Sequence, residues 1–465
     1  MLSTLRFLAA LFALALVGDQ HHADELRAEV VASKGTRQRS AITVDLSWSA
    51  SWRDERNHDA VWIVLRSREA GVHRLDAEGH RVLSNNRHVE VRVSEDGIGA
   101  WIIPTHASQG SIEARVDLAL RDPTANTLHA WALEMVLIPA GAFEVGDDTP
   151  EVLSKGALHR RGKSGEPDGP FTIRSEAALA LNKTPGGLWY GTEDHNAYQG
   201  DQLGPIPADF PKGTRAFYVM KYELTQGQYV RFLNALPAAA RAERGNQIRE
   251  GEETETCAIT LSGARFVAAA PDRPCNFVSW ADTSAFTDWM GLRPMTELEF
   301  EKACRGPKRP MPGDFPWGTA SRDGVERVVL PSRDLSLQVE KVEDLLDDKR
   351  RIALGASYYR VMDLSGSMWE RVISIGHPDG RAFRGTHGDG KLDSTGNATN
   401  ADWPRLDEEG RNAFGIGYRG GADYFGPKAD VTNPFSCVGT RTFAGWEGGY
   451  RYKTYSARAV RTVGP

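Results

Sequence analysis

The chain has 465 residues, 56 basic against 62 acidic side chains and a net charge of −6, a balance that gives no electrostatic footprint for nucleic acid. Hydrophobic residues at 40% and charged residues at 25% are ordinary for a globular protein and exclude a coiled-coil rod or a long disordered tail. With 47 glycines, 24 prolines and 12 tryptophans, the composition points to a loop-rich fold that displays aromatics. From the amino terminus, Arg6 is followed by the apolar run Phe7 to Val17. This layout predicts a secretory signal peptide over residues 1–23, because the run is too short to cross a bilayer as a helix of ~20 residues. Export places the chain outside the cytoplasm. The four cysteines, Cys257, Cys275, Cys304 and Cys437, could then form two disulfides in any of three pairings. No Cys-x-x-Cys pair exists, and no Cys follows the apolar run to carry a lipid anchor.

Residues 24–133 read as all-β. Ile42, Val44, Leu46 and Trp48 alternate with polar neighbours, as a half-buried strand does. The run Ala60 to Leu65 is continuously apolar and predicts a strand buried on both faces. Further short strands at Val89–Val93, Ala100–Ile103 and Ile112–Leu120, separated by turns such as Asp96-Gly97, complete a β-sandwich. A second unit begins at Glu134 and runs to residue 465. Its stretch from 147 to 211 is polar and rich in Gly and Pro, and reads as a long loop or insertion. Beyond it, Ala216 to Tyr222 predicts a strand. Thr225 with Gln228, and Thr296 with Glu299, are capping boxes that open helices. A further helix follows Ser279-Trp280 and stops at Gly291, and Gly306 ends the helix opened by Thr296. Lys341 to Arg351 is charged and reads as a solvated helix face.

Eight blocks carry a recognisable pattern in order. They are Met135 to Phe143, Lys221 to Tyr229, Asn276 to Asp282, Gly291 to Glu301, Phe315 to Gly318, Met362 to Glu370, Tyr418 to Gly421 and Ser456 to Arg461. Together they resemble the formylglycine-generating enzyme, or sulfatase-modifying factor, family. The N-terminal sandwich lies outside the resemblance, which implies for the rest a loop-rich domain of mixed helices and short strands related to C-type lectins; the expected fold class is therefore α+β, an all-β sandwich followed by that domain. That family holds copper-dependent oxidases, iron-dependent sulfoxide synthases, lipoproteins of motility assemblies and secreted members without known activity.

The oxidases hold copper with two thiolates placed after the Arg-Gly-Gly motif, and soft thiolates suit Cu(I). Here the corresponding stretch, Ala422 to Asp430, contains no Cys, so copper is not expected. The His-x-x-x-His spacing of the iron members is also absent. The resemblance does imply a structural Ca²⁺ held by Gly366, Ser367, Met368 and the Glu370 carboxylate, oxygen ligands on a turning loop. The family usually has Asn at position 367 and Trp at 371, where this chain has Ser and Arg. The loop Thr386 to Asp393, with Asn397, Asn400 and Asp402, reads as Asx turns or a second cation loop.

The aromatic, glycine-rich stretch Thr442 to Tyr455 lies near the family's substrate groove. Arg419, Asp423, Tyr424, Trp446, Tyr450 and Tyr452, with Arg451 and Arg458 beside them, have the composition of a ligand surface. The expectation is an exported binding module for a peptide, a glycan or a protein at the cell surface. The alternatives are an enzyme using Asp423, Tyr424 and His387, and a subunit of a surface or motility assembly.

Overall fold

A computed structural model describes residues 26–36, 39–68, 71–83, 88–122, 127–192, 198–245, 259–326, 345–422 and 434–464. The signal-like segment lies outside them. No described helix is long and apolar enough to cross a membrane.

The amino-terminal strands are β1 (Arg27–Thr36), β2 (Arg39–Arg53), β3 (Asp59–Ser67), β4 (Gly71–His73), β5 (Arg81–Val82), β6 (Val89–Val93), β7 (Ala100–Pro104), β8 (Ser108–Leu120) and β9 (His129–Ile138). Strands β1, β2, β8 and β5 form one sheet. Its inward residues Ile42, Val44, Leu46 and Trp48 pack on Val61, Ile63 and Leu65 of β3, which makes the expected sandwich. The alternate residues of β3, Ala60, Trp62 and Val64, are equally buried but belong to a different core. A strand with period-two geometry fills two cores only when both its faces are covered, and the continuous apolar run at 60–65 had announced this.

The rest of the described chain packs around that second core and three further ones. Its strands and helices are α1 (Pro150–Leu153), β10 (Phe143–Val145), β11 (His159–Arg160), β12 (Phe171–Ile173), β13 (Leu188–Trp189), β14 (Phe217–Met220), α2 (Gln226–Ala235), α3 (Ala238–Arg244), β15 (Ile259–Ser262), β16 (Arg265–Ala268), α4 (Trp280–Trp289), β17 (Arg293–Pro294), α5 (Glu297–Arg305), α6 (Asp348–Ala353), β18 (Trp369–Ile373), α7 (Pro378–Arg381), β19 (Ile416–Arg419), β20 (Tyr455–Ser456) and β21 (Ala459–Thr462). Strand β9 pairs with β3 on one side and with β14 on the other. One eight-stranded sheet therefore runs β17-β21-β14-β9-β3-β7-β6, with β4 on β3, and the boundary read at 133/134 falls inside one of its strands. Polar bonds reinforce the junction. Trp62 Nε1 donates to the Met290 carbonyl at 2.8 Å, Arg66 donates to the Trp289 and Gly390 carbonyls, and Arg461 pairs with Asp96 at 2.6 Å.

The three expected helix starts are present. Thr225/Gln228 and Thr296/Glu299 make reciprocal capping boxes, and Ser279/Asp282 makes a third. Gly306 closes α5 at φ +62°, a left-handed position that a glycine takes without strain. One reading changes. The described part of the 147–211 stretch is packed: Leu158, Ile173, Leu188, Tyr190, Ile206 and Phe210 share a core with Trp280, Leu298 and Ile373. Its apolar residues follow no period, because short strands and turns place them. The charged 341–351 stretch is described only from 345; Asp347, Asp348 and Lys349 are exposed there, while Arg351 is buried and donates to the Trp317 and Ala356 carbonyls.

The two-disulfide expectation is also not met. Cys304 and Cys437 are free, buried thiols in separate cores, which leaves at most one pairing, Cys257 with Cys275; Cys257 lies outside the described residues.

Because one sheet carries both cores, the described chain should unfold as one cooperative unit. Trp62→Ala, which empties space shared with α4, is expected to cost ~3–5 kcal/mol. Urea titrations followed by tryptophan fluorescence and by far-UV circular dichroism should shift together, and two separated transitions would contradict the shared sheet.

Candidate ligand-binding groove

A groove of about 1220 Å³ opens between α3, the amino-terminal end of α4, the 393–410 loop and the 450–453 loop. Its base rests on Asp282. As the third residue of α4, this carboxylate accepts from the Ser279 backbone N–H at 2.9 Å and completes the capping box. The same two oxygens accept Arg451 Nε and Nη2 at 2.7 and 2.8 Å and Arg244 Nη1 at 3.1 Å. One fully buried carboxylate thus joins α3, α4 and the carboxy-terminal loop. Burial alone would raise the Asp282 pKa, but the guanidiniums, Arg451 first, outweigh it and hold the group below the usual carboxylate range. Arg244 extends the join by donating Nη2 to the Asn397 side-chain oxygen at 2.8 Å.

The 450–453 rim is held by its own backbone. The Tyr450 carbonyl accepts Arg371 Nη2 at 2.7 Å, the Tyr452 carbonyl accepts the Phe277 N–H at 3.0 Å, and the Lys453 carbonyl accepts Asn276 Nδ2 at 3.0 Å. Arg371 stands where the family usually has Trp. It is buried, donates to the Val278, Gly448 and Tyr450 carbonyls, and lies over the Tyr418 and Tyr455 rings. Phe277, in contact with the rim, has φ +54°, a strained value for a bulky residue. With the rim backbone tied down, the Tyr450 and Tyr452 side chains are left 37% and 42% exposed.

The opposite wall is fixed by Asp288, buried near the end of α4. Its oxygens accept the backbone N–H groups of Asp389, Gly390 and Thr399. Burial is the main cause that pushes its pKa up to about 6. Asp393 takes Thr395 and Asn397 in an Asx turn, as the loop composition suggested. Trp280 and Trp403 back the groove, their indole N–H groups donating to the Pro404 and Thr386 carbonyls.

Of the expected ligand residues, Tyr450 and Tyr452 line this groove, and Arg451 joins them. Arg419 does not reach it. Its side chain is fully buried, bonded to Glu297 at 3.1 Å, Glu301 at 2.8 Å and the Val438 carbonyl, within a network that continues to Arg441 and Arg305. Trp446 packs edge-on against Tyr198 and Phe443. Asp423 and Tyr424 lie outside the described residues. His387 sits elsewhere, its Nε2 accepting the Thr462 N–H. Arg458 is buried rather than part of a patch: it grips both Glu370 oxygens at 2.8 Å.

That grip bears on the calcium loop. Ser367 Oγ and the Met368 N–H both donate to Glu223, and the Gly366 N–H donates to the Gly420 carbonyl. The Glu370 carboxylate is already matched by a guanidinium that also donates to the Met220, Lys221 and Met362 carbonyls. Each Glu370 oxygen thus already faces a guanidinium, whose positive charge opposes a cation at that carboxylate. Among the described residues, no three His, Cys, Asp or Glu side chains are grouped to hold a metal ion.

Sequence reasoning missed Asp282, Arg244, Asp288 and Arg405. Only Asp282 left a signal, the spacing Ser279-x-x-Asp282, a capping box with Asp in place of Glu.

Two outcomes follow from this geometry. Asp282→Asn leaves the buried Arg244 and the partly buried Arg451 guanidiniums sharing a neutral amide and should cost ~3–5 kcal/mol at pH 7. The Asp282 contribution is present above the unfolded carboxylate pKa of ~3.9 and is lost as pH falls through the lower folded value. Urea midpoints between pH 5 and pH 2 should therefore fall more steeply for the wild type than for the variant. Asp288→Ala removes the two oxygens that accept three backbone N–H groups, so hydrogen exchange at Asp389, Gly390 and Thr399 should accelerate while exchange in β3 and β9 stays unchanged.

The sequence was compared with known proteins. A family model described as the sulfatase-modifying factor enzyme 1-like domain matches residues 122–419. Among curated relatives, the formylglycine-generating enzyme of Bos taurus is 28% identical over 193 residues, covering 36% of this chain and 50% of that protein. The formylglycine-generating enzyme of Thermomonospora curvata is 27% identical over 175 residues, covering 32% and 56%. That of Mus musculus is 29% identical over 185 residues, covering 33% and 48%. The chain spans about half the length of the curated relatives it matches. Since the family match takes in well over half of the chain, the protein belongs to the sulfatase-modifying factor family.

Proposed function

We propose that this chain is an exported, non-oxidase member of its family that binds a ligand in the groove over Asp282. The observation that carries the reading is the groove itself: exposed Tyr450 and Tyr452 on a rim whose carbonyls at 450, 452 and 453 are engaged, beside guanidiniums held by one buried carboxylate. Side chains fixed before a ligand arrives lose little freedom on binding. Rigid aromatic and Arg side chains are those most enriched at binding hot spots.

Thiol chemistry supports the non-oxidase half. The stretch Ala422 to Asp430 carries no Cys. Cys304 and Cys437 sit in different cores, and burial pushes the Cys304 thiol up and the Cys437 thiol up to about 12. A copper-binding pair needs the opposite, two adjacent groups that ionise readily. The apolar run Phe7 to Val17 supports export.

A cysteine-containing peptide incubated with the purified protein, Cu(I) and oxygen should yield no aldehyde by mass spectrometry. On an array of oligosaccharides and peptides, wild-type protein should be retained by a defined set, and the Tyr450→Ala/Tyr452→Ala variant should lose about tenfold or more in affinity for that set. Aldehyde formation, or retention indifferent to both tyrosines, would overturn the proposal.

A further inference from the structure

We infer that the ligand of this groove is an acidic oligosaccharide, with carboxylates set against Arg451 and Arg405 and sugar rings against Tyr450 and Tyr452. The inference rests on the binding role proposed above and narrows it to a chemical class.

The charge at the floor comes first. Two guanidiniums, Arg244 and Arg451, share the single buried carboxylate of Asp282, and the Glu243 carboxylate stands 3.8 Å from Arg244, so the cations in excess on this lining are Arg405 and Lys453. Arg451 is 21% exposed at its side chain, and it spends Nε and Nη2 on Asp282 and on the Glu243 and Arg244 carbonyls. Its Nη1 has no partner among the described residues. Arg405, on the same groove, is exposed and also has no partner among them. Lys453 adds a third cation at the rim, against Glu243 and Asp393 on the lining. A planar guanidinium that is already oriented suits a carboxylate better than a point charge does. In a chain whose net charge is −6, a cation-rich groove runs against the overall field.

The walls favour a saccharide over a peptide. None of the lining residues lies in a strand, so no free strand edge is offered to an extended peptide. The rim carbonyls at 450, 452 and 453 are already taken by Arg371, Phe277 and Asn276. Recognition is left to side chains: phenol rings for stacking, guanidinium forks and the Asn400 amide oxygen, since the Asn397 amide is taken by Arg244, Asp393 and Thr395. Asn400 Oδ1 is buried without a partner among the described residues, an acceptor that suits a hydroxyl. The volume of about 1220 Å³ is above the ~300–1,000 Å³ range of small-molecule pockets and fits an oligomer.

The test is isothermal titration calorimetry on the full chain with an α-1,4-linked galacturonate tetramer. Its methyl ester keeps the rings and removes the charge, and a glutamate tetrapeptide keeps the charge and removes the rings. Arg405→Gln and Tyr452→Ala are exposed positions, and circular dichroism will confirm that each variant is folded. The expected result is saturable binding of the acid tetramer. That binding should weaken about tenfold or more in either variant, and comparably for the ester and the peptide. Ester or peptide binding equal to or tighter than the acid tetramer, still lost in Tyr452→Ala, would overturn the acidic-sugar class and leave the groove as a binding site. Absent binding of the acid tetramer, or binding that ignores both substitutions, would also overturn it. The array experiment decides separately whether the groove binds at all.

Discussion

The groove depends on one carboxylate. Asp282 caps α4, and the same two oxygens hold arginines from α3 and from the carboxy-terminal loop. Each role alone is common. Combined, they make the start of a helix the fixed point about which two irregular segments are oriented. Burial of that charge is tolerable because the cap N–H and the guanidinium N–H groups satisfy both oxygens. Arg451, with Arg405 beside it, then brings positive charge to the groove. Structure and chemistry meet in one ion cluster.

The same device recurs where regular structure is scarce. Arg371 ties three carbonyls and two tyrosine rings, Arg458 ties Glu370 and three carbonyls, and Arg419 with Arg441 clasps Glu297. Loops cannot satisfy their carbonyls through a ladder, and a guanidinium offers five donors in a fixed fork. Buried arginine therefore does here what sheet pairing does in the sandwich. The shared sheet gives this part a rigid base, since β9 binds the sandwich strand β3 and the inner strand β14 at once.

Much of this was legible in the residues. The two-faced burial of β3 follows from the unbroken run Ala60 to Leu65, and the helix starts follow from the capping pairs at Thr225 and Thr296. Tyr450 and Tyr452, which line the groove, stand out by composition together with the family resemblance. The failures share a cause. Arg419 and Arg458 look like ligand residues because charge in a sequence suggests surface, yet their partners Glu297, Glu301 and Glu370 lie 118 or more positions away in the first case and 88 in the second. No local pattern reports a pairing at that separation. The packing of 147–211 was hidden for a related reason, since short strands leave no period to read. Continuity of the sheet across residue 133 was equally invisible, because it depends on β14 returning to β9 from a distant part of the chain.

The most direct measurement of where the ligand sits is hydrogen–deuterium exchange of the full chain with and without the galacturonate tetramer. Protection confined to 277–284, 393–406 and 450–453 is the expected result. Protection centred instead on the stretch following Arg419, or none anywhere, would contradict the placement of the site over Asp282.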